Sequence, residues 1–141
     1  MTELTATKFD TVEQFYEFVQ ANGSLRTLEH AKRYTSGVLR TLGLYLKGSP
    51  KKVLAKALPE ELAFELTRPF FLAHFPDKNI PWAEFTKAVA RRSGNSDSQF
   101  ARIPTRAVFR ALHTYLDANT AEKVANALSP EVRAEWEQAR S

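Results

Sequence analysis

Apolar and small residues recur along this chain at intervals of three and four positions. In the two clearest stretches these positions are Leu28, Ala31, Thr35, Val38, Leu42 and Tyr45, and then Ala101, Thr105, Val108, Leu112 and Tyr115. This spacing places the apolar side chains on one face of an α-helix. No run alternates apolar and polar residues for long enough to predict a strand. The pattern therefore predicts an all-α protein with two long helices.

Polar residues, glycines and prolines predict where the other helices begin and end. Small polar side chains cap helix starts, Asn-Gly ends helices, and proline is tolerated in a first turn but excluded from a helix interior. The expected boundary residues are Asp10 or Thr11, Asn22-Gly23, Ser49-Pro50, Pro59, Pro81, Ser93-Gly94, Asn119 and Pro130. Pro104 falls inside the second long helix, so we expect a kink or a delayed start there.

The two halves of the chain share one pattern at an offset of 70 residues. VLRTLGLYL at 38–46 corresponds to VFRALHTYL at 108–116, and residues 12–66 align without gaps to 82–136 with 14 identities in 55 positions. This predicts two tandem homologous helical repeats, 11–66 and 81–136, joined by a linker at 67–80. A unit of this length is marginal alone, so we expect residues 1–141 to pack as one compact helical bundle domain.

The segments that follow the two long helices resemble a known family. Residues 46–66 read LKGSPKKVLAKALPEELAFEL and residues 116–136 read LDANTAEKVANALSPEVRAEW. Both are similar to the bacterial family catalogued as domain of unknown function 2267, and the resemblance extends from about Phe9 to the end of the chain. It implies an α-helical two-repeat fold and a bacterial, soluble setting. It implies no activity and no catalytic residue.

Composition limits the compartment and the class of protein. The 141 residues are 43% apolar and include ten Phe, which is the composition of a folded domain. No cysteine is present, which excludes disulfides and thiolate chemistry and is compatible with a reducing cytosol. The first 25 residues carry carboxylates and no long apolar run, and no stretch approaches a membrane span. We therefore expect a cytoplasmic protein without membrane contact.

Candidate chemistry is sparse. The three histidines, His30, His74 and His113, are far apart and form no paired metal-ligand spacing. No nucleophile elbow, phosphate loop or dinucleotide fingerprint occurs. We therefore expect no catalytic residue, no metal and no cofactor, and we expect that the protein is not an enzyme.

Charged residues repeat together with the apolar ones. The repeated set is Arg40, Glu61 and Glu65 in the first half and Arg110, Glu131 and Glu135 in the second. Carboxylates four residues apart lie on one helical face, where they can serve acid–base chemistry or a divalent ion. The alternative that we favour is a structural ion pair within each half, with Arg40 meeting Glu61 or Glu65 and Arg110 meeting Glu131 in the same way.

Positive charge is concentrated in two segments. Residues 26–56 contain eight lysines and arginines against one glutamate, and residues 87–110 contain six against one aspartate. Cationic residues seven or four apart form stripes along a helix. The candidate basic surface consists of Arg26, Arg33, Lys47, Lys51, Arg102 and Arg106. Such stripes are typical of proteins that contact phosphate backbones or acidic partners, and also of ordinary solvated helix faces.

The loop at 91–98 is a separate candidate. It begins with Arg91 and Arg92 and ends in Asp97 or Ser98, either of which can cap the next helix. A capping loop is the simpler interpretation. The alternative is an anion held at that helix start beside the arginines.

These observations favour a non-catalytic binding or adaptor module that engages a protein partner through helical faces. The candidate partner surface is Phe70, Phe71 and Phe75 in the linker, although these aromatic rings would serve equally to pack the two halves together. The second hypothesis is binding of a nucleic acid or another polyanion through the basic stripes. No RNA-binding motif is present, so that contact would be with phosphates and would lack base specificity.

Overall fold

The computed structural model describes residues 9–68, 79–94 and 97–140, which form eight α-helices and no strand. The helices are α1 Val12–Asn22, α2 Leu28–Tyr45, α3 Ser49–Ala57, α4 Glu60–Thr67, α5 Trp82–Arg92, α6 Ser98–His113, α7 Ala118–Asn126 and α8 Pro130–Gln138. The predicted all-α class is confirmed. Within the described ranges, no helix is both long and apolar enough to cross a membrane.

Side chains cap five of the helix starts. The capping residues, whose side chains accept a backbone N–H of the first turn, are Thr11, Thr27, Asp97, Asp117 and Ser129. Two expected starts are displaced by one or two residues. Helix α7 is capped by Asp117 and not by Asn119, and α3 has Gly48 as its N-cap, with φ of 62° and no side-chain bond. The positive φ at position 48 favours glycine, because this conformation is costly for residues with a Cβ atom.

Pro104 does not delay the start of its helix. Helix α6 begins at Ser98 and continues through Pro104, which is buried. Proline cannot donate to the Phe100 carbonyl, so the helix continues with one bond fewer at this position. The prolyl ring packs against Gly23 at the end of α1, where a Cβ atom would lie 3.2 Å from the proline Cα. Tertiary packing therefore compensates for the missing bond. Of the two expected outcomes, the delayed start is wrong and the kink stays a prediction.

The two halves are interleaved in their packing. Helix α5 lies against α2, and α1 lies against α6, so the first helix of each half packs on the long helix of the other. Helices begin 70 residues apart at Val12 and Trp82, and again at Leu28 and Ser98. The common origin of the two halves and the linker at 67–80 stay predictions. The interleaving has a physical consequence, because neither half covers its own long helix without the other.

Aromatic side chains fill the core between α5, α6 and α8. The Trp82 and Phe85 rings stack with centroids 5.9 Å apart, and Phe109 meets Trp136 edge to face at 5.2 Å. Trp136 is fully buried, and its Nε1–H donates to the Ala121 carbonyl at 3.1 Å. A buried indole needs such a partner because an unpaired N–H is costly away from water. Trp136 thus joins α8 to both α6 and α7.

Helices α2 and α5 are in close contact where Gly37 faces Ser93. A Cβ atom added to Gly37 would lie 2.2 Å from Ser93 Oγ and 3.0 Å from the Val89 carbonyl oxygen. Ser93 is 3% exposed, and its hydroxyl donates to that carbonyl at 2.8 Å. Only glycine allows the backbones to approach this closely. The contact brings the polar face of α2 beside the last turn of α5.

Protonation of His113 makes the stability of the fold depend on pH. Its Nε2–H donates to the Trp136 carbonyl at 2.9 Å, and its ring lies 4.2 Å from the Trp136 ring. Burial lowers the pKa of His113 to about 4, and this exceeds the opposite effect of the Trp136 hydrogen bond. The folded state thus favours the neutral ring, so its contribution to stability is full above pH 6.5 and is lost as the pH falls towards 4.

We expect the free energy of unfolding to fall by on the order of 2 kcal/mol between pH 6.5 and 4 because of His113. Urea unfolding at closely spaced pH values measures this change. The control is His113→Gln, whose amide can still donate to the Trp136 carbonyl but does not titrate. Identical pH profiles for the two proteins would contradict the assignment to His113.

Candidate anion-binding site

A groove of about 400 Å³ opens between α2 and the end of α5. Its lining consists of Glu29, Lys32, Arg33, Ser36, Arg40, Arg92, Ser93 and Gly94. Four of these residues are cationic and one is a carboxylate. We call the site the basic groove and define it by Lys32, Arg33, Arg40 and Arg92. The site depends on the close approach at Gly37, which sets α2 against the last turn of α5.

Helix α2 supplies three of the four cations from one face. Lys32, Arg33 and Arg40 are spaced so that they follow one another along two helical turns. Lys32 and Arg33 are exposed, and the Lys32 ammonium lies 5.6 Å from the centre of the Tyr16 ring. In the part of the chain that the structure describes, neither residue has a carboxylate within 4 Å. Both charges are therefore available to a ligand.

Arg40 is held in place by Glu65 of α4. Its Nε donates to Glu65 Oε1 at 3.2 Å, and the Ser36 hydroxyl donates to the same oxygen at 2.7 Å. Arg68 approaches the carboxylate at 3.4 Å from the outside. Glu65 thus fixes one edge of the Arg40 guanidinium. The other four N–H groups of Arg40 make no hydrogen bond to a described residue.

Arg92 is the cation that α5 contributes to the groove. It is half-buried, and its hydrogen bond within the described ranges runs from Nη1 to the Ala88 carbonyl at 3.4 Å. No carboxylate of those ranges lies within 4 Å of it. Burial, followed by repulsion from Arg91 and Arg40, lowers the pKa of Arg92. A partly buried charge without a counterion is unfavourable, so an anion bound here would relieve a cost already present in the fold.

The first-half ion pair forms with one of the two carboxylates expected for Arg40. The partner is Glu65, whereas Glu61 accepts a hydrogen bond from the Tyr16 hydroxyl at 2.6 Å. Pairing of Arg40 with Glu61 is therefore wrong. Burial, followed by Glu61, raises the pKa of Tyr16. Because a protonated phenol is the form that donates to a carboxylate, Tyr16 stays neutral and serves α1–α4 packing.

The second half uses different partners for the corresponding carboxylates. Arg106 donates to Glu135 through Nε at 2.7 Å and Nη2 at 3.2 Å. Glu131 accepts the backbone N–H of Trp82 at 2.7 Å and so caps α5, whose own N-cap provides no side-chain bond. Arg110 is exposed and forms no ion pair with the described residues. The expected Arg110–Glu131 pair is wrong because the carboxylate faces a helix start.

The residues proposed from sequence as a basic surface differ in their local surroundings. Arg26 precedes the cap of α2, and Lys47 follows its last residue, so neither lies on the helical stripe. Lys51 donates to the Gly43 carbonyl at 2.9 Å at the end of α2, and burial lowers its pKa. Arg102 is half-buried, and its Nε has no partner in the described ranges.

Arg106 and Arg33, the last two of that candidate surface, have opposite roles. Arg106 is neutralised by Glu135 and packs over Trp82, with its guanidinium carbon 5.6 Å from the ring centre. Only Arg33, of the six candidates, lines the basic groove. Lys32 was not selected from the sequence, and Arg92 was selected only as part of the loop at 91–98, beside the start of the next helix. The sequence positions of Lys32 and Arg92 give no indication that α5 packs on α2. A signal for that packing is Gly37, because a glycine in mid-helix is typical of a close helix crossing.

The aromatic surface expected in the linker is outside the described residues, since Phe70, Phe71 and Phe75 lie in 69–78. Large apolar side chains that are exposed in the described ranges are Phe64, at 58%, and Ile103, at 45%. The guanidinium of Arg68 covers one side of the Phe64 ring at 5.6 Å.

The described ranges hold no group of three or more histidine, aspartate or glutamate side chains arranged to bind a metal. The acidic pair Glu61 and Glu65 is used in hydrogen bonds to Tyr16, Ser36 and Arg40. Lys32, Arg33 and Arg92 are three cations of the described ranges that have no carboxylate within 4 Å, and the basic groove brings them together.

Comparison with known proteins identifies a family but no relative of known function. The family described as "Uncharacterized conserved protein (DUF2267)" matches residues 12–135. No curated protein matches the chain.

Proposed function

We propose, for a chain that belongs to the uncharacterised DUF2267 family, the role of a non-catalytic binding module whose contact surface is the basic groove. The partner carries several negative charges, and a polyanion is the class that fits the groove best. In keeping with the resemblance and with the absence of cysteine, we place this role in the bacterial cytoplasm.

The observation that carries the proposal is the half-buried Arg92 without a carboxylate partner beside Arg40. Arg106 and Arg40 are each paired with a carboxylate, Glu135 and Glu65 respectively. Arg92 has no such pair, and Arg91 and Arg40 repel its charge. Oriented guanidinium groups bind phosphate and carboxylate oxygens through paired N–H donors, so a bound polyanion would supply the missing compensation.

The second candidate is the protein-binding module favoured by the sequence. Its support within the described ranges is the exposed ring of Phe64 beside Arg68, which is an aromatic–arginine pair of the kind enriched at protein interfaces. The linker aromatics that first suggested it lie outside the described residues. We rank it second because a single exposed ring is common on protein surfaces, whereas four clustered cations with one uncompensated and half-buried are not.

The proposal predicts that Lys32→Glu/Arg33→Glu weakens polyanion binding at least tenfold. Both side chains are exposed, so their reversal changes the field of the groove without removing core contacts. The measurement is fluorescence anisotropy of a labelled mixed-sequence oligonucleotide, single- and double-stranded, titrated at low salt and then at rising salt. Affinity should fall steeply with salt, because binding releases counterions from the phosphates.

Two control variants make the test specific to the groove. Lys52→Glu/Lys56→Glu reverses the same charge at two exposed positions of α3, and Arg26→Glu/Lys47→Glu reverses the outer members of the predicted stripe. Both should stay within about threefold of the unmodified protein. Equal losses of affinity in all three variants would show that binding depends on the overall positive charge of the protein and not on the groove. Absence of binding at low salt would reject the proposed function and favour the protein partner.

A further inference from the structure

The lining of the basic groove contains charged and small polar residues and no aromatic or aliphatic side chain. Both hydroxyls in the groove are occupied, because Ser36 donates to Glu65 and Ser93 donates to the Val89 carbonyl. A nucleobase would find neither an aromatic stacking platform nor a free hydroxyl donor, and stacking on aromatic rings supplies most of the base contribution in single-strand binding. The free donors that remain are cationic and suit phosphate oxygens.

The length of the groove sets the size of its ligand. Arg33 and Arg40 are seven residues apart on α2, which corresponds to about 10 Å along the helix axis. A strand that keeps the helical stacking of a duplex carries one phosphate for roughly every 3.4 Å of helix axis, so this distance spans about three phosphate steps of such a strand. Arg92 faces the same space from α5. Phosphates bound between the two helices would therefore contact cations from both sides.

We infer that the basic groove binds a short run of about four phosphates through their charge alone, without reading the bases. This inference rests on the proposed function and specifies its ligand. The source of the phosphates is either a nucleic-acid backbone or an inorganic phosphate chain, because both present the same anionic oxygens. An acidic peptide fits less well, since its aliphatic side-chain carbons find no apolar lining.

The test uses the full chain and labelled oligothymidylates of two, four, eight and sixteen nucleotides. Affinity should rise at least tenfold from two to four nucleotides. At each further doubling it should rise by no more than about threefold, because a longer strand only offers more positions at which the groove can bind. Adenylate, cytidylate and thymidylate octamers should agree within about threefold. The slope of log K against log salt for the octamer should be roughly −2, from the three cations without a carboxylate partner, Lys32, Arg33 and Arg92, at about −0.7 each.

Competition distinguishes the possible sources. Linear inorganic tripolyphosphate should displace the octamer at a concentration within about tenfold of that of the unlabelled tetramer, whereas tetraglutamate should need at least tenfold more. Failure of tripolyphosphate to compete would show that the backbone sugars or bases are required and would overturn the inference. Equal competition by tetraglutamate would overturn it in favour of an acidic protein partner.

Two further results would contradict the inference while leaving the proposed function intact. A preference above tenfold for one base would mean that bases are read. A large gain in affinity from eight to sixteen nucleotides would mean that the contact surface is longer than the groove. Absence of binding by every polyanion, including the sixteen-nucleotide strand, would instead reject the proposed function together with the inference.

Discussion

Replacing Trp136 with alanine should lower the free energy of unfolding by about 3–5 kcal/mol. The side chain is fully buried, contacts Phe109 and His113, and donates its indole N–H to the Ala121 carbonyl. Truncation removes this apolar area, leaves a cavity between α6, α7 and α8, and deprives a buried carbonyl of its donor. Urea unfolding followed by circular dichroism measures the loss.

Two variants separate the contributions at Trp136. Trp136→Phe keeps an aromatic ring against Phe109 but lacks the indole donor, so it should cost about 1–2 kcal/mol. Phe64→Ala removes a ring that is 58% exposed and should change stability by less than about 0.5 kcal/mol. A loss below about 1.5 kcal/mol for Trp136→Ala would mean that α8 packs more loosely than the structure has it.

Gly37→Val should destabilise the protein by about 3 kcal/mol, at the upper end of the range for overpacked positions. The new side chain would collide with Ser93 Oγ and with the Val89 carbonyl oxygen, which is backbone and cannot rotate away. The gain in helix propensity on replacing glycine is about 0.5 kcal/mol and does not offset the collision. Thermal and urea unfolding of the variant measure the effect.

A double-mutant cycle identifies the contact responsible. Ser93→Ala removes the hydroxyl that lies nearest to an added Cβ atom, so Gly37→Ala should cost less in that background than alone. The expected coupling is about 1 kcal/mol in favour of the double variant. Independent effects of the two substitutions would show that α2 and α5 do not meet at these residues, and would also remove the physical basis of the groove.

Much of the fold follows from local features of the sequence. The start of α2 at Leu28 after Thr27 reflects a cap followed by residues with helical spacing, and these determinants lie within a few residues of each other. The delayed start expected at Pro104 was wrong because the rule for proline concerns the helix alone. The buried contact with Gly23, more than 80 residues away, decides the outcome and is not encoded in either local pattern.

The site was less accessible to prediction, because its charges come from two helices whose contact is a matter of tertiary packing. Spacing identified Arg33 and Arg40 as neighbours on α2 and proposed Glu65 as one of two partners for Arg40. Spacing did not predict that Arg92 lies near Arg40, because only the α2–α5 crossing brings the two residues together. The partner of each repeated carboxylate also depends on tertiary packing. Glu131, for example, binds a backbone N–H because the start of α5 lies opposite it.

The asymmetry between the halves determines what one chain can do to a long polyanion. Seventy residues further on, Arg102 and Arg110 correspond to Lys32 and Arg40, but Ile103 stands in place of Arg33. Asn22 occupies the position that corresponds to Arg92. The second half therefore carries two of the four cations that define the basic groove. Under the proposed function, one chain would hold a polyanion at one such groove, so it would coat a polyanion and would not cross-link two strands.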